Sequence, residues 1–385
     1  MVGAVDRQGN SAVHWAAWVG NAGVVRLLAK RGAETDHRNQ DGDTALHFAS
    51  RWGREEVVRT LLDAQVDSHV RNVAHRTPLE VAAEGLTTTG DVAYAAAARE
   101  QVRRAFYLAE PRNRTLVLYH PECQQHQPKS QRDWECPQRV DAVLQGLRDR
   151  RAFRSHELEL STNFEKASVE SLARVHGAGY LRFVDDLSKK LEEEGAAASV
   201  PFTPMVQKTL LRKDTGDIKP SEACDTSFSG GSLRAARRAA GAVTHAVDRV
   251  LQGKNRNAFC VVRPPGHHAG PEGLLEEAVS CGFCIFNNVA VGALHALEVH
   301  GLERVAIVDV DVHHGNGTEQ ICRAYADPNR LLFFSIHLYD KDASYEFFPG
   351  SGGRDDTARN IINVPLEPLW KAREREGLHT HGTRS

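Results

Sequence analysis

Residues 307–316 read IVDVDVHHGN, two aspartates and two histidines set behind apolar positions in a segment that otherwise has the composition of a buried strand. A charge buried without a partner costs several kcal/mol, so these groups need partners or a metal. Alternate side chains of a strand share a face. Asp309, Asp311 and His313 are therefore expected on one side, with Val308, Val310 and Val312 on the other, toward a core. A carboxylate and an imidazole two residues apart on one face make a half-site for a divalent metal.

Other apolar runs have the same strand character: TLVLYH (115–120), NAFCVV (257–262), VAIVDVDV (305–312), LLFFSIHL (331–338) and NIINVPL (360–366). Several are nearly continuous in apolar residues, as parallel strands covered on both faces should be. Helical patterns lie between them. One is SLRAARRAAGAVTHAVDRVLQG (232–253), opened by Ser232 as a cap and closed by Gly253. Strands alternating with helices predict an open, mostly parallel α/β sheet with helices on both faces. Ligands of such sheets sit beyond the carboxyl ends of the strands, and HHGNG follows one of those ends. A second pair of histidines, in RPPGHHAG (263–270), follows another: Pro264, Pro265 and Gly266 make a tight turn that presents His267 and His268.

The first hundred residues repeat. DRQGNSAVHWAAWVGNAGVVRLLAKRG, from Asp6, is followed in phase by NQDGDTALHFASRWGREEVVRTLLDAQ. Gly9 and Gly42, His14 and His47, Gly20 and Gly53, and Val24 and Val57 are each 33 residues apart, and RTPLEVAAEG (76–85) sets Thr77 in phase with Thr44. Period and signature resemble the ankyrin repeat, a turn plus two helices, of which about three must stack for stability. The resemblance covers roughly residues 1–105 and implies a protein-binding platform. Because His14 and His47 recur at one repeat position, they are expected to bond at helix starts and not to bind metal. Trp15, Trp18 and Trp52 are expected to pack.

Bulk properties exclude several classes. A formal charge of −2 over 385 residues does not suit an electrostatic nucleic-acid binder. No apolar run has the length of a membrane span, and MVGAVDRQGN lacks the basic and apolar regions of a secretory signal. Seven scattered cysteines do not form a disulfide framework, so a reducing compartment inside the cell is expected.

Taken together, RPPGHHAG, GFCIFNNVAVGA (282–293), VDVDVHHGNGT (308–318), SIH (335–337) and FFPGSG (347–352) resemble the zinc-dependent histone deacetylases. The proline-rich first motif points to the class II branch. WECPQRV (134–140), LARVHGAGYLRFVDDLSK (172–189) and DTSFSGGSLRAA (225–236) extend the resemblance, in order, from about Thr115 to Trp370. It implies an arginase/deacetylase-like three-layer fold and hydrolysis of acetyl-lysine amides in histones or other proteins. Asp311 and His313 would be zinc ligands, and His267 and His268 the pair handling the proton of the attacking water. Asp309 would orient the first histidine and Asn316 the second. Phe283 and Phe348, with Gly282, would line the acyl-lysine channel, and Asp225 would hold the substrate backbone at its rim. Asp309, Asp311, Ser335 and carbonyls near His313 and Ile336 match the family's potassium site. The chemistry agrees, since an amide needs a polarised carbonyl, an activated water and a protonated leaving amine.

Two other clusters are weighed lightly. Cys281 and Cys284 form a C-x-x-C inside a family motif, and HPECQQH (120–126) with Cys136 has metal-like spacing, read first as a polar loop. Family members carry a third ligand, an aspartate, and an oxyanion-stabilising tyrosine further along. Agreement ends near NVPLEPLW (363–370), so the expectation is a deacetylase domain truncated at its C-terminus, weak or inactive as this chain alone unless His337 or Asp342 completes the site. Ankyrin repeats over 1–110 and an incomplete deacetylase domain over 115–385 are expected, resident in nucleus or cytoplasm. The alternatives are a non-catalytic interaction protein and a deacetylase of small acetylated amines.

Overall fold

In the computed structural model, residues 3–89, 91–127, 134–149, 153, 157–195, 199–203, 225–273, 281–340 and 351–368 are described. Two compact units emerge. One is Met1–Leu116 with Arg148–Glu159 and Gly253–Asn257; the other is Val117–Leu147 with Leu160–Gln252 and Ala258–Ser385.

In the first unit, helices Ala12–Val19 and Ala22–Lys30 form one hairpin, and Ala45–Arg51 and Glu55–Asp63 the next. Their apolar faces meet in a core that includes Val13, Ala17, Val25, Leu46, Val57 and Leu61. The two repeat histidines are buried and do what their position predicts. His14 Nδ1 lies 3.0 Å from the Ser11 hydroxyl and its Nε2 3.0 Å from the Asp43 carbonyl. His47 does the same with the Thr44 hydroxyl and the Arg76 carbonyl, each at 3.0 Å. Each imidazole thus caps its own helix and reaches 29 residues forward into the next repeat. Desolvation lowers both pKa values, so the rings are held toward their neutral form.

The third copy departs from the pattern. Glu80 stands where the histidine would be, and closes a local box with Thr77: Thr77 N–H to Glu80 Oε2 at 2.7 Å, Glu80 N–H to Thr77 Oγ1 at 3.3 Å. The chain then leaves its turn at Ala83, with φ +58, and donates that N–H to the Ser50 carbonyl. A helix over Val92–Ala109 closes the array. The tryptophans divide. Trp52 packs beside Ala83, Leu86, Ala95 and Ala98. Trp15 and Trp18 are 42 % and 40 % exposed, edge to face with each other and then with Trp52, so these two are surface aromatics and not core.

The five strands expected from sequence are present as β1 Thr115–Tyr119, β5 Asn257–Val261, β6 Val305–Asp309, β7 Leu331–Leu338 and β8 Ile361–Leu366; three short ones, β2 Leu158–Ser161, β3 Ser199–Pro201 and β4 Ser227–Ser229, were not expected. Strands β1, β2 and β5 form one sheet in the order β2-β1-β5; β6, β7 and β8 form a second, parallel throughout. Helix Ser232–Leu251 packs on helix Asn288–Leu294, where a Cβ on Gly292 would come within 2.4 Å of Val243. The main core joins Phe183, Phe202, Phe228, Ile285, Phe286, Val291, Ile307 and Phe333. No described helix is long and apolar enough to cross a membrane.

Two expectations about the opening stretch fail. The ladder stops at Asp309 and not at Val312, because Asp309 Oδ1 takes the Asp311 N–H at 3.0 Å and Asp311 Oδ1 takes the His313 N–H at 2.9 Å. Short aspartate side chains compete for backbone donors and turn the chain out of the sheet. Nor do the valines reach a core: Val308, Val310 and Val312 are 61 %, 75 % and 52 % exposed. Strand β7 alternates buried and half-buried positions along its length. Among the described residues this sheet is thus packed on the face of Ile307, Phe333 and Ile361 only.

Two buried histidines of the second unit make its stability sensitive to acid. Burial lowers the His176 pKa to about 4, and burial with the neighbouring Arg263 lowers that of His126 to about 3. Both rings titrate near 6.5 when unfolded, so below that pH the unfolded chain binds more protons and native stability falls. Unfolding free energy should drop by about 2 to 2.5 kcal/mol per pH unit from these two groups between roughly pH 6 and pH 4.5. His176→Gln should remove about half of that slope in urea titrations across the range; an unchanged slope would show that His176 is protonated when folded.

Candidate active site

The loop that follows β5 carries the first histidine pair, and a buried ion pair fixes its root. Arg263 is fully buried; its Nε and Nη2 donate to the two carboxylate oxygens of Glu135 at 2.7 and 2.6 Å, and Nη1 donates to the Cys123 carbonyl at 3.1 Å. The Arg263–Pro264 bond is cis. Further along, His176 Nδ1 donates to the Gly270 carbonyl at 2.9 Å while its Nε2 accepts the Asn287 N–H at 3.0 Å. Asn287 Nδ2 donates to the Ala269 carbonyl and the Thr318 hydroxyl, and Thr318 N–H donates to the His267 carbonyl at 3.0 Å. The loop is therefore tied at several points to the starts of helices Asn288–Leu294 and Asn316–Ala324.

His267 and His268 stand with ring centroids 4.0 Å apart. His267 Nδ1 lies 2.8 Å from Asp309 Oδ2, and His268 Nδ1 lies 2.8 Å from Asn316 Oδ1. Asn316 Oδ1 also accepts the Gly317 N–H, so it is the acceptor and His268 Nδ1 carries the proton. This orientation leaves the lone pair on Nε2. Burial, first, and the adjacent His267 push the His268 pKa well below the usual imidazole value, against the raising hydrogen bond to Asn316. Gly315 allows the first pair to form, since a Cβ there would lie 2.2 Å from Asp309 Oδ2. Gly282 serves the second, since its Cβ would meet the His268 ring at 2.1 Å.

Asp311 and His313, both half exposed, lie just past the end of β6, with Asp311 Oδ1 and His313 Nδ1 3.3 Å apart. Ligands at about 2.0–2.1 Å from a four-coordinate zinc stand about 3.3 Å from one another, so this carboxylate–imidazole pair fits zinc in both donor type and spacing. Burial raises the Asp311 pKa, but hydrogen bonds from the His313 ring and N–H, with His267 nearby, outweigh it and hold the carboxyl well below the usual range. The His313 ring centroid is 6.1 Å from that of His268, so both motifs face one region.

Phe283 has φ +65, a left-handed conformation that costs a non-glycine residue about 1–3 kcal/mol. Its N–H donates to Thr226 Oγ1 at 2.8 Å, and that hydroxyl donates to Asp225 Oδ1 at 2.7 Å. Asp225 and Phe283 are thus joined through a single threonine. Phe348 and Asp342 lie outside the described residues. Ser335 sits opposite Asp309 in the β6–β7 register, its hydroxyl 2.9 Å from His337 Nδ1. His337 is engaged on its other side by the Gly352 carbonyl and lies against His314, ring centroids 4.6 Å apart and planes tilted by 40°, so it does not join Asp311 and His313. Cys281 and Cys284 are unbridged and buried, with burial pushing the Cys284 thiol up, which argues against redox chemistry. His120, Cys123, His126 and Cys136 do not converge. The one metal-like group of three or more among the described residues is Asp248 with His295 and His300.

Thr226, His176 and the Arg263–Glu135 pair were not singled out from sequence. The signal that could have found them is membership of the quoted motifs: Glu135 in WECPQRV, His176 in LARVHGAGYLRFVDDLSK, Thr226 in DTSFSGGSLRAA and Arg263 in RPPGHHAG.

A family profile described as "Histone deacetylase domain" matches residues 133–379. The chain belongs to the histone deacetylase family. Residues 2–72 match a profile of three ankyrin repeats. The deacetylase relatives include Type-2 histone deacetylase 1 of Dictyostelium discoideum, 34% identical over 274 residues, 66% of this chain and 18% of that protein. Polyamine deacetylase HDAC10 of Mus musculus is 36% identical over 254 residues, 65% of this chain and 32% of that protein. The matched region therefore spans a third or less of these two relatives. A crystal structure of the HDA15 HD domain aligns with TM-score 0.51 and 30% identity, covering 66% of this chain and 62% of that one.

Because Arg263 is buried against Glu135, removing one partner strands the other charge. Glu135→Ala should destabilise the deacetylase domain by about 3–5 kcal/mol. Urea denaturation followed by fluorescence measures it, and a loss under about 1 kcal/mol would mean that the arginine is solvated.

Proposed function

We propose that the chain is a zinc-dependent protein lysine deacetylase, with ankyrin repeats over 1–110 binding a protein partner and a deacetylase domain over 115–385. The observation that carries this reading is the pair of adjacent imidazoles, one backed by a carboxylate and one by an amide, beside a carboxylate–imidazole pair at zinc-ligand spacing. Asp311 and His313 would hold the zinc, which when bound supplies Lewis-acid polarisation of the amide carbonyl. His268, kept neutral by burial, is suited to take the proton of the attacking water at Nε2. His267, with Asp309 behind it, is suited to carry a proton to the leaving amine. Phe283, with Phe348 and Gly282, would hold the aliphatic stem of the acyl-lysine, and Asp225 would accept hydrogen bonds from the substrate backbone. A potassium ion near Asp309, Asp311 and Ser335 would brace the strand ends. Acetylated histones or other acetyl-lysine proteins are the substrate class, met in nucleus or cytoplasm.

A non-catalytic reading has one observation in its favour: among the described residues Asp311 and His313 are joined by no third ligand. Zinc content and turnover decide between them. In the full chain, Asp311→Ala should abolish zinc uptake at this site. His268→Ala should retain zinc and lower kcat about 100-fold or more on an acetyl-lysine histone peptide. Phe283→Ala should raise KM with little change in kcat. An N-acetylated polyamine assayed in parallel tests the small-amine alternative. Loss of zinc in His268→Ala would reassign that residue as a ligand, and absence of turnover on both substrates would favour the interaction protein.

A further inference from the structure

A second group of metal-ligating side chains lies at the far end of the two packed helices and shares no residue with the candidate active site. Helix Asn288–Leu294 does not end as an α-helix; it continues as a π-turn over His295–Val299, in which the His300 N–H donates to the His295 carbonyl. Five residues advance an α-helix by well over one turn, which would point these two histidines apart. The wider π-turn stacks them instead, and such turns recur at functional positions. Both Nε2 atoms come to one carboxylate oxygen: Asp248 Oδ1 lies 2.7 Å from His295 Nε2 and 2.7 Å from His300 Nε2. The rings stand edge to face, 5.1 Å apart. Asp248 reaches them because Gly292 lets its helix close on Val243, bringing the last turns of helix Ser232–Leu251 alongside the π-turn.

We propose that Asp248, His295 and His300 form a second zinc site, separate from the catalytic one and structural in effect. Two imidazole nitrogens and a carboxylate oxygen are a donor set that zinc accepts, with the fourth position left for water. All three side chains keep some solvent access, so an ion has a way in. Opening the 2.7 Å contacts to the roughly 3.3 Å between ligands of a tetrahedral zinc needs shifts of about half an ångström, within reach of side-chain torsions. The ion would staple the end of one helix to the turn that closes the other.

The test removes the catalytic ligands first. In the full chain carrying Asp311→Ala and His313→Ala, metal-free protein titrated with zinc should take up one ion per chain and gain about 5 °C in Tm at a hundredfold excess over Kd. Cobalt in its place should give the visible absorption of a tetrahedral N/O site. Adding His300→Gln or Asp248→Asn should abolish both uptake and the Tm gain. If the doubly substituted chain does not fold, His300→Gln in the unsubstituted chain should lower zinc content by one ion with circular dichroism unchanged. No stoichiometric uptake, or uptake that survives His300→Gln and Asp248→Asn, would show that these residues form a hydrogen-bonded triad only.

Discussion

The arrangement of the candidate active site depends on where one parallel strand stops. Aspartate is a poor strand residue because its carboxylate reaches backbone donors two positions on. At the end of β6 this happens twice in succession, at Asp309 and at Asp311. Each bond takes an N–H that would otherwise extend the ladder. Asp309 then has Oδ2 left for His267, while Asp311 turns the same Oδ1 to both the N–H and the ring of His313. Terminating the strand and building the site are one event.

A second layer of polar contacts makes that event reproducible. The histidine loop has little apolar area of its own, so its position comes from the Arg263–Glu135 pair at one end and from His176, Asn287 and Thr318 at the other. Buried polar groups stabilise little in net terms but cost a great deal when left unmade. They therefore select one loop conformation over its competitors. Phe283, at positive φ, shows the same economy: local strain is accepted where its N–H meets the threonine that bonds Asp225.

Much of this was legible in the residues. The 33-residue phase gave the repeats and the roles of His14 and His47, and the apolar runs gave all five named strands. The convergence of His267, His268, Asp309 and Asn316 followed from motif resemblance, and the side-chain distances agree with it. What failed did so for physical reasons. Period-two alternation assumes that the strand continues, and cannot see an aspartate competing for the ladder. Nearly continuous apolar composition suggested two covered faces, yet Val308, Val310 and Val312 are exposed, because composition does not say which neighbours arrive. Thr226 and His176 act through contacts that join residues 57 and 111 positions apart, and local pattern carries no trace of these. Nor does residue spacing announce a π-turn, so the pairing of His295 with His300 had no sequence signature.

In the ankyrin unit, the forward reach of His14 and His47 sets how far one repeat feels the next. A linear array behaves as a chain of units with nearest-neighbour coupling. Here part of that coupling is an imidazole bound to the following repeat's carbonyl, so loosening either repeat costs both the bond. Glu80 spends its carboxylate on Thr77, within its own repeat, and passes nothing forward. The histidine bond therefore ends at the third copy, and packing takes over: Ala83 and Leu86 meet Ala95 and Ala98 of the closing helix. Melting should cross all three copies as one cooperative block, because the Ala83 N–H on the Ser50 carbonyl and Leu86 beside Trp52 tie Thr77–Thr89 back to the second repeat.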